Sequence, residues 1–234
     1  MRDGRTRAAA FAHALLLFAL CLALSGCAIE LPYHSGEDFG ISTAVSPVDF
    51  DGDGTDDYRE LLLGARRDAR NKPTYDDRYW EEGYPPEDIG VCADVIWRAF
   101  REAGYDLRAM VDRDVRLRPA AYPHVTTPDD NIDFRRVVNL EVFFRTYGIS
   151  LTCDPSEIEE WQPGDVVIFA NSAGRYSHIG VISDRRTAKG VTYVIHNGGQ
   201  EEREENFLGK MRIAGHYRFD ASRIDPDLLI PWED

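Results

Sequence analysis

The sequence predicts an α+β fold in which a helix that begins with a cysteine packs on an antiparallel β-sheet. Between residues 58 and 147, apolar residues recur every three or four positions in three segments, as they do along the buried face of a helix. From Trp161 onwards, short apolar segments of period two are separated by turns, which indicates antiparallel strands. Helices followed by a run of strands are typical of α+β domains.

Composition limits the class of protein. The chain has 234 residues, with 43% hydrophobic and 29% charged residues, which are the proportions of a soluble globular protein. The formal net charge is -14, and beyond residue 30 the only basic clusters are short arginine pairs. We therefore expect one ordinary domain with extra segments, and no nucleic-acid partner.

The N-terminus has the pattern of a secretory signal. Three arginines precede an apolar run over residues 8–24, which ends in Leu24-Ser25-Gly26-Cys27. This ending resembles the lipobox of bacterial lipoproteins, which implies a signal peptide over residues 1–26, lipidation of Cys27 and a spacer over residues 27–48. The protein would then be extracytoplasmic and tethered to a membrane by its lipid. The alternative is a plain transmembrane anchor, for which about 17 apolar residues are marginal.

Residues 49–60 have the spacing of an EF-hand calcium loop, with glycine at the sixth position. The ligand positions are occupied by Asp49, Asp51, Asp53, Thr55, Asp57 and Glu60. Pro47 argues against an incoming helix, so the loop resembles the helix-poor calcium loops of secreted bacterial proteins. We expect structural calcium here. The alternative is an Asp/Gly turn in which Asp57 caps the following helix.

Three helices are predicted from these apolar spacings. The first spans about Tyr58 to Asn71 and stops before Pro73. The second starts at the Gly90-Val91-Cys92 stretch and runs to Ala103, before Gly104 as a C-terminal cap. The third spans Phe134 to Tyr147, with Asp133 as its N-cap.

Cys92 is the candidate nucleophile. In the first turn of a helix, free backbone N–H groups and the positive end of the helix dipole favour a thiolate, which can attack a carbonyl if a histidine lies nearby. Two alternatives remain open. Cys92 could be a buried structural thiol. It could also form a disulfide with Cys153, because Cys21 leaves with the signal and Cys27 is lipidated.

Two histidines lie on neighbouring predicted strands. The four strands expected are Val166 to Ala170, Ser177 to Ser183, Val191 to Asn197 and Ile213 to Phe219. A hairpin loop over residues 184–190 would place His178 directly opposite His196 on one face, with Cβ atoms about 5 Å apart. Such a pair can supply a base and the polar group that orients it.

The order of these motifs resembles the NlpC-type, papain-like cell-wall cysteine peptidases. More closely, residues from about Ala65 to Phe219 resemble family 1287 of the bacterial domains of unknown function. The matching stretches are Gly83-Tyr84-Pro85-Pro86, Gly90-Val91-Cys92, Asn131-Ile132-Asp133, Pro163-Gly164-Asp165, Ser177-His178-Ile179-Gly180, His196-Asn197 and Gly215-His216-Tyr217-Arg218. The resemblance implies a papain-like catalytic domain over residues 61–220, followed by a tail over residues 221–234.

By this resemblance, Cys92 is the nucleophile, His178 the base and His196 the polar third member of a triad. The backbone N–H of Cys92 is then an expected oxyanion donor. Further positions are expected to contact substrate, namely Tyr84, Asp94, Asp133, Arg135 and Asn197.

Three functions fit this sequence. The first is a lipid-anchored cysteine hydrolase that cleaves cell-wall peptide or another amide. The second is an acyltransferase that uses the same triad. The third is a non-catalytic cell-envelope binding module with the same shell, although binding alone does not require all three triad residues.

Overall fold

The computed structural model describes residues 33–200 and 203–233. The predicted signal peptide, the predicted lipidation site at Cys27 and the first residues of the spacer lie outside these ranges. Within them, no helix has the length and apolar character needed to cross a bilayer. The described part of the spacer packs on the domain, since the backbone of His34 pairs with that of Arg186 and Ile41 is buried.

Four α-helices lie in the described residues. They are α1 (Asp57–Asn71), α2 (Cys92–Glu102), α3 (Leu107–Leu117) and α4 (Val137–Tyr147). The first two confirm the predicted helices. The third predicted helix is divided, because Asp133–Arg135 forms a 3-10 turn before α4 begins. Helix α3 was not predicted, although Leu107, Met110 and Val115 have helical spacing and are buried.

The strands form one antiparallel sheet and one short parallel pair. The pair is β1 (Thr74–Tyr75) with β2 (Ile89–Gly90). The sheet contains β3 (Ile149–Ser150), β4 (Val166–Ala170), β5 (Tyr176–Arg186), β6 (Thr192–Ile195), β7 (Glu204–Glu205) and β8 (Arg212–Arg218). Its order is β3-β8-β4-β5-β6-β7, and every neighbouring pair is antiparallel. The predicted α+β class with an antiparallel sheet is therefore confirmed.

Helix α2 lies at the centre of the core, against both α1 and β5. Ala93, Ile96 and Phe100 are fully buried on it. Burial of a side chain as large as Phe100 stabilises the fold by about 1.5–3 kcal/mol. Helix α1 approaches closely because it carries Gly64, where an added Cβ would lie 2.6 Å from the Cβ of Glu102. This packing holds the N-terminal end of α2 beside the sheet.

The predicted C-terminal tail belongs to the same packed unit. Ile224 and Leu228 are buried in the main core. The backbone N–H of Asp106 donates to the carbonyl of Ile230, and the ring of Trp232 stacks on that of Trp97 in α2, with centroids 6.1 Å apart. The tail therefore covers the outer side of α2.

A buried polar cluster joins two of the motifs quoted above, and it is structural. The Nε2 atom of His216 lies 2.9 Å from Oδ2 of Asp165, and its Nδ1 lies 2.8 Å from the Thr152 carbonyl. Arg218 donates two hydrogen bonds to the same Asp165 carboxylate. The His216 ring stacks on Trp161 at 3.8 Å. Both ring nitrogens are thus held by protein acceptors, which ties β8 to the turn before β4.

Candidate active site

Cys92 occupies the first position of α2, and a buried carboxylate positions it there. Oδ2 of Asp94 accepts a hydrogen bond of 2.7 Å from the backbone N–H of Val91, the N-cap residue. The same carboxylate receives two hydrogen bonds from Arg135, at 2.8 and 2.9 Å. Because a buried charge is tolerated only when it is paired, Asp94 and Arg135 together fix the start of the helix.

The backbone just before Cys92 is held by two more buried side chains. Nδ2 of Asn197 donates to the carbonyl of Gly90 at 2.9 Å, and Arg98 donates to the carbonyl of Ile89 at 2.8 Å. Arg98 is itself paired with Asp68 at 2.6 Å. A side chain at Gly90 would lie 3.0 Å from Arg98, which explains why this position requires glycine.

The thiol of Cys92 is enclosed. Only 7% of the residue is exposed, and neither Cys92 nor Cys153 forms a disulfide. Burial raises the pKa of the Cys92 thiol to about 11, although the backbone N–H groups of Ile179, Ala93 and Cys92 itself oppose this increase. The expectation of a thiolate is therefore wrong for the protein in this state, because desolvation outweighs the helix terminus.

The two histidines meet, but through a different register from the predicted one. Val181 pairs with Ile195 and Ile182 with Val194, two residues away from the predicted alignment. This register sets His196 opposite Gly180, where an added Cβ would lie 3.2 Å from that of His196. His178 therefore reaches His196 diagonally. The face is still the predicted one because the shift is an even number of residues.

The side chains of this diagonal pair are in direct contact. Nε2 of His178 lies 2.8 Å from Nδ1 of His196, with the rings nearly perpendicular. Phe207 packs against both rings. Burial lowers the pKa of each histidine to about 4, and the neighbouring His196 lowers that of His178 further. Both rings are thus neutral at pH 7, so one must donate this hydrogen bond and the other must accept it.

Glu205 indicates which ring donates. Its Oε1 lies 3.3 Å from Nε2 of His196, and its other oxygen contacts Lys210. A carboxylate only accepts, so it favours the proton of His196 on Nε2. The amide nitrogen of Gln200, a donor, lies 3.2 Å from Nδ1 and 3.1 Å from Nε2 of the same ring, and its approach to Nδ1 agrees with that arrangement, whereas its approach to Nε2 opposes it. We assign the proton to Nε2 because the carboxylate carries a full charge. Nδ1 of His196 is then the acceptor, and His178 donates from Nε2. The remaining nitrogen of His178, Nδ1, therefore carries a lone pair.

His178, whose Nδ1 carries this lone pair, lies on β5, the strand that borders Cys92. Ile179, whose N–H approaches the sulfur of Cys92, directly follows His178 in β5. No hydrogen bond joins Cys92 and His178 within residues 33–200 and 203–233. Cys92 lies in the same core cluster as Ile179, whereas the ring of His178 packs on Phe169 and Phe207. A direct contact between Cys92 and His178 therefore stays a prediction.

Tyr75 in β1 lies near Cys92 and near the loop that follows His196. The pKa of Tyr75 is raised by burial and, next, by the nearby negative charge that Cys92 would carry. An added Cβ at Gly199, in the loop after His196, would lie 3.8 Å from Cβ of Tyr75. Almost half of the tyrosine remains exposed. Tyr75 is therefore a partly exposed residue close enough to Cys92 for a charge on the sulfur to affect it.

The five expected substrate contacts have structural partners instead. Asp94, Asp133, Arg135 and Asn197 are all buried. The carboxylate of Asp133 accepts from the backbone N–H of Asp129 at 2.9 Å. Tyr84 donates to Asp106 at 2.9 Å. These residues shape the framework of the site, and Tyr84 is partly exposed. Their contact with a substrate stays a prediction.

Sequence reasoning missed three residues of this site, namely Glu205, Tyr75 and Lys210. Glu205 and Lys210 lie in charged segments that read as ordinary surface, and only the pairing of β7 with β6 brings Glu205 to His196. Tyr75 is one of four aromatic residues between positions 75 and 84, and no spacing distinguishes it from the others. A sequence signal existed for none of the three.

The predicted calcium ligands are only partly brought together. Ligand atoms of Asp49, Asp51 and Asp53 lie within 4.8 Å of one another. Asp57 points elsewhere, since its two oxygens accept from the Phe50 N–H at 3.0 Å and from the Tyr105 hydroxyl at 2.6 Å. This loop lies at the C-terminal end of α2, because an added Cβ at Gly104 would meet Asp51 at 2.7 Å.

The fold and the site together define an α+β domain with a helix-start cysteine beside a histidine pair on an antiparallel sheet. The chain belongs to the family described as Domain of unknown function (DUF1287), which matches residues 62–219. It is also similar to Uncharacterized protein YijF of Escherichia coli (strain K12), with 37% identity over 163 residues, covering 67% of this chain and 78% of that protein. No solved structure matches the chain. The relationship to NlpC-type peptidases and their papain-like fold stays a prediction.

Proposed function

We propose that this protein is a lipid-anchored, extracytoplasmic cysteine hydrolase that cleaves an amide bond, with cell-wall peptide as its substrate class. The observation that carries the proposal is the 2.8 Å contact between Nε2 of His178 and Nδ1 of His196, on the strand that borders Cys92. A nucleophile, a base and a group that orients the base are the minimum set for acyl chemistry.

In the first step, His178 acts as a general base because Cys92 rests as a thiol. Nδ1 of His178 takes the proton of Cys92 as the sulfur attacks the carbonyl carbon. The carbonyl oxygen gains negative charge next to the N-terminus of α2, where the N–H groups of Cys92 and Ala93 are directed toward the sulfur. These two N–H groups can stabilise the oxyanion.

The second step reverses the proton transfer. The imidazolium of His178 donates its Nδ1 proton to the leaving amine as the C–N bond breaks, which leaves a thioester on Cys92. Water then attacks the thioester carbonyl and loses a proton to His178. The C–S bond breaks, His178 returns that proton to the sulfur of Cys92, and the carboxylic acid leaves. Throughout, His196 accepts from Nε2 of His178, and the carboxylate of Glu205 offsets the positive charge that forms on the pair.

The anchor is proposed on the sequence of residues 24–27 and places this chemistry at the cell envelope. A tethered domain reaches substrates near its membrane, and cell-wall peptides are amides of that compartment. An acyltransferase would follow the same first step and replace water by an amine, so it differs from the hydrolase only in the second acceptor.

One observation favours a second function. Cys92 is 7% exposed and its pKa is raised to about 11, as expected for a thiol that packs rather than reacts. A binding module that kept the shell of an enzyme would have this appearance. An enzyme is also compatible with it if substrate binding moves Tyr75 away from the thiol.

The experiment is hydrolysis of purified cell-wall peptides by the full chain, followed by mass spectrometry of the products. We expect cleavage by the wild type and by Cys153→Ala, the matched cysteine control, and at least 100-fold loss in Cys92→Ala and His178→Ala, as for removal of a general acid–base group. Equal cleavage by Cys92→Ala would exclude the triad. Peptide binding without cleavage in the wild type would establish the binding module.

A further inference from the structure

Glu60, in the first turn of α1, is a buried carboxylate that lacks a partner. The residue is 3% exposed, and its Oε2 is fully buried and accepts no hydrogen bond in the part of the chain that the structure describes. Leaving an ionised carboxylate buried without a partner is strongly unfavourable. A ligand that satisfies this oxygen would remove the penalty.

The neighbours of Glu60 add further negative charge to its surroundings. The carboxylates of Asp49, Asp51 and Asp53 have ligand atoms within 4.8 Å of one another. The charged groups that act most strongly on Glu60 are all aspartates, namely Asp51, Asp53, Asp57 and Asp49. A cation is therefore the missing component of this loop.

We propose that the loop from Asp49 to Glu60 binds one calcium ion, with the side chains of Asp49, Asp51, Asp53 and Glu60 as ligands. These four are the first, third, fifth and twelfth positions of a calcium loop, and the twelfth normally binds through both oxygens. The site is independent of the proposed hydrolase chemistry.

The structure narrows the ligand set that the sequence predicted. Asp57, at the ninth position, is left out of the set because one of its oxygens accepts from the Tyr105 hydroxyl, outside the loop, and the other from the Phe50 N–H. The oxygens of Asp49 also accept hydrogen bonds, but only from the N–H groups of Gly52 and Gly54 in the loop itself. Thr55 contributes its backbone carbonyl, at the seventh position, instead of its hydroxyl. Its carbonyl accepts no backbone hydrogen bond within the described residues.

The donor chemistry selects calcium among common cations. All donors are hard oxygens, and neither histidine nor cysteine joins the group, which argues against zinc and copper. Several carboxylates on a flexible loop suit calcium, which accepts six to eight oxygens, better than magnesium, which demands octahedral geometry and keeps its waters.

The site would stabilise the core at the end of α2 that is remote from Cys92. Phe50 stacks on Tyr105 at 4.1 Å, directly after α2. Helix α2 has 11 residues, which separates its ends by about 16 Å. Calcium should therefore raise the melting temperature without changing the chemistry of the thiol.

The experiment measures thermal unfolding of the full chain in chelator, in calcium and in magnesium. At calcium 100-fold above its dissociation constant, we expect the melting temperature to rise by about 5–10 °C. Glu60→Gln should abolish this rise.

The matched control is Glu37→Gln, which removes the same charge from an exposed position and should keep the full calcium response. Identical melting of the wild type in calcium and chelator would overturn the proposal, and so would an undiminished response in Glu60→Gln. A larger response to magnesium would overturn the choice of metal. Since none of these measurements uses the thiol, failure of the hydrolase proposal would leave their outcome unchanged.

Discussion

Replacing Glu205 by glutamine tests whether this carboxylate sets the proton positions of the histidine pair. In the wild type, Oε1 of Glu205 lies 3.3 Å from Nε2 of His196, and the proton arrangement inferred from this approach leaves Nδ1 of His178 without a proton. Glutamine has nearly the same shape, but its amide can donate. Donation to Nε2 of His196 would move that proton to Nδ1, and the His178 proton would then move to Nδ1 as well, which removes the base.

The size of the effect follows from the hydrogen bond that is lost. A hydrogen bond to a charged group contributes about 1.5–3 kcal/mol and a neutral one about 0.5–1.5 kcal/mol. Neutralising Glu205 should therefore weaken the preference for the proton on Nε2 of His196 over Nδ1 by about 1–1.5 kcal/mol. At about 1.4 kcal/mol per factor of ten, the ratio of the two proton arrangements should shift by about 5- to 13-fold. Because only one arrangement supplies the base, peptide cleavage should slow by at most this factor, and by less the more completely the wild type populates that arrangement.

Heteronuclear NMR of the imidazole nitrogens measures this directly, since protonated and bare ring nitrogens have distinct chemical shifts. The wild type should show Nε2–H on both rings, and Glu205→Gln should add signals from Nδ1–H. The exposed Glu157→Gln is the charge-matched control and should match the wild type. In a His196→Ala background, the Glu205 substitution should change nothing further at His178. A wild-type His178 protonated at Nδ1 would refute the reasoning.

Two further predictions concern the cysteines. Iodoacetamide should label the exposed Cys153 before the enclosed Cys92 at pH 7, and labelling of Cys92 should increase as the pH rises toward about 11, where its thiol ionises. Tyr75→Ala should speed the labelling of Cys92 alone. Faster labelling of Cys92 than of Cys153 in the wild type would contradict the enclosed state of the thiol. Cys27→Ala should release the protein from membranes or leave an unprocessed precursor, whereas unchanged membrane fractionation and mature mass would disprove the lipid anchor.

The helices and strands were largely predictable because their signals are local. Apolar spacing places α1, α2 and β4 to within a residue or two, and glycine and proline mark their ends. Helix α3 has the same signal and was overlooked. The division of the last predicted helix before Val137 depends on the Asp133 carboxylate, which binds the preceding loop rather than capping α4.

The sequence also predicts that His178 and His196 share one face of the sheet, because an error of an even number of residues in the strand pairing does not move a side chain to the other face. Side chains on a strand alternate between two faces, so a register error of two residues left His178 and His196 on one face. The true diagonal contact depends on the irregularity in β5 between Ile182 and Arg186, which no local pattern shows.

By itself, the sequence determined the α+β class, the family, the helix-start cysteine, the histidine pair and the acidic loop, because each is encoded by neighbours along the chain. The tertiary structure alone decided what these groups are able to do. Packing of α2 against the sheet encloses Cys92 and raises its pKa, pairing of β7 with β6 brings Glu205 to His196, and the fold buries Glu60 beneath three aspartates. The protonation state of a side chain and its need for a bound ligand depend on burial and on charges that are distant in sequence. Both are properties of the folded chain.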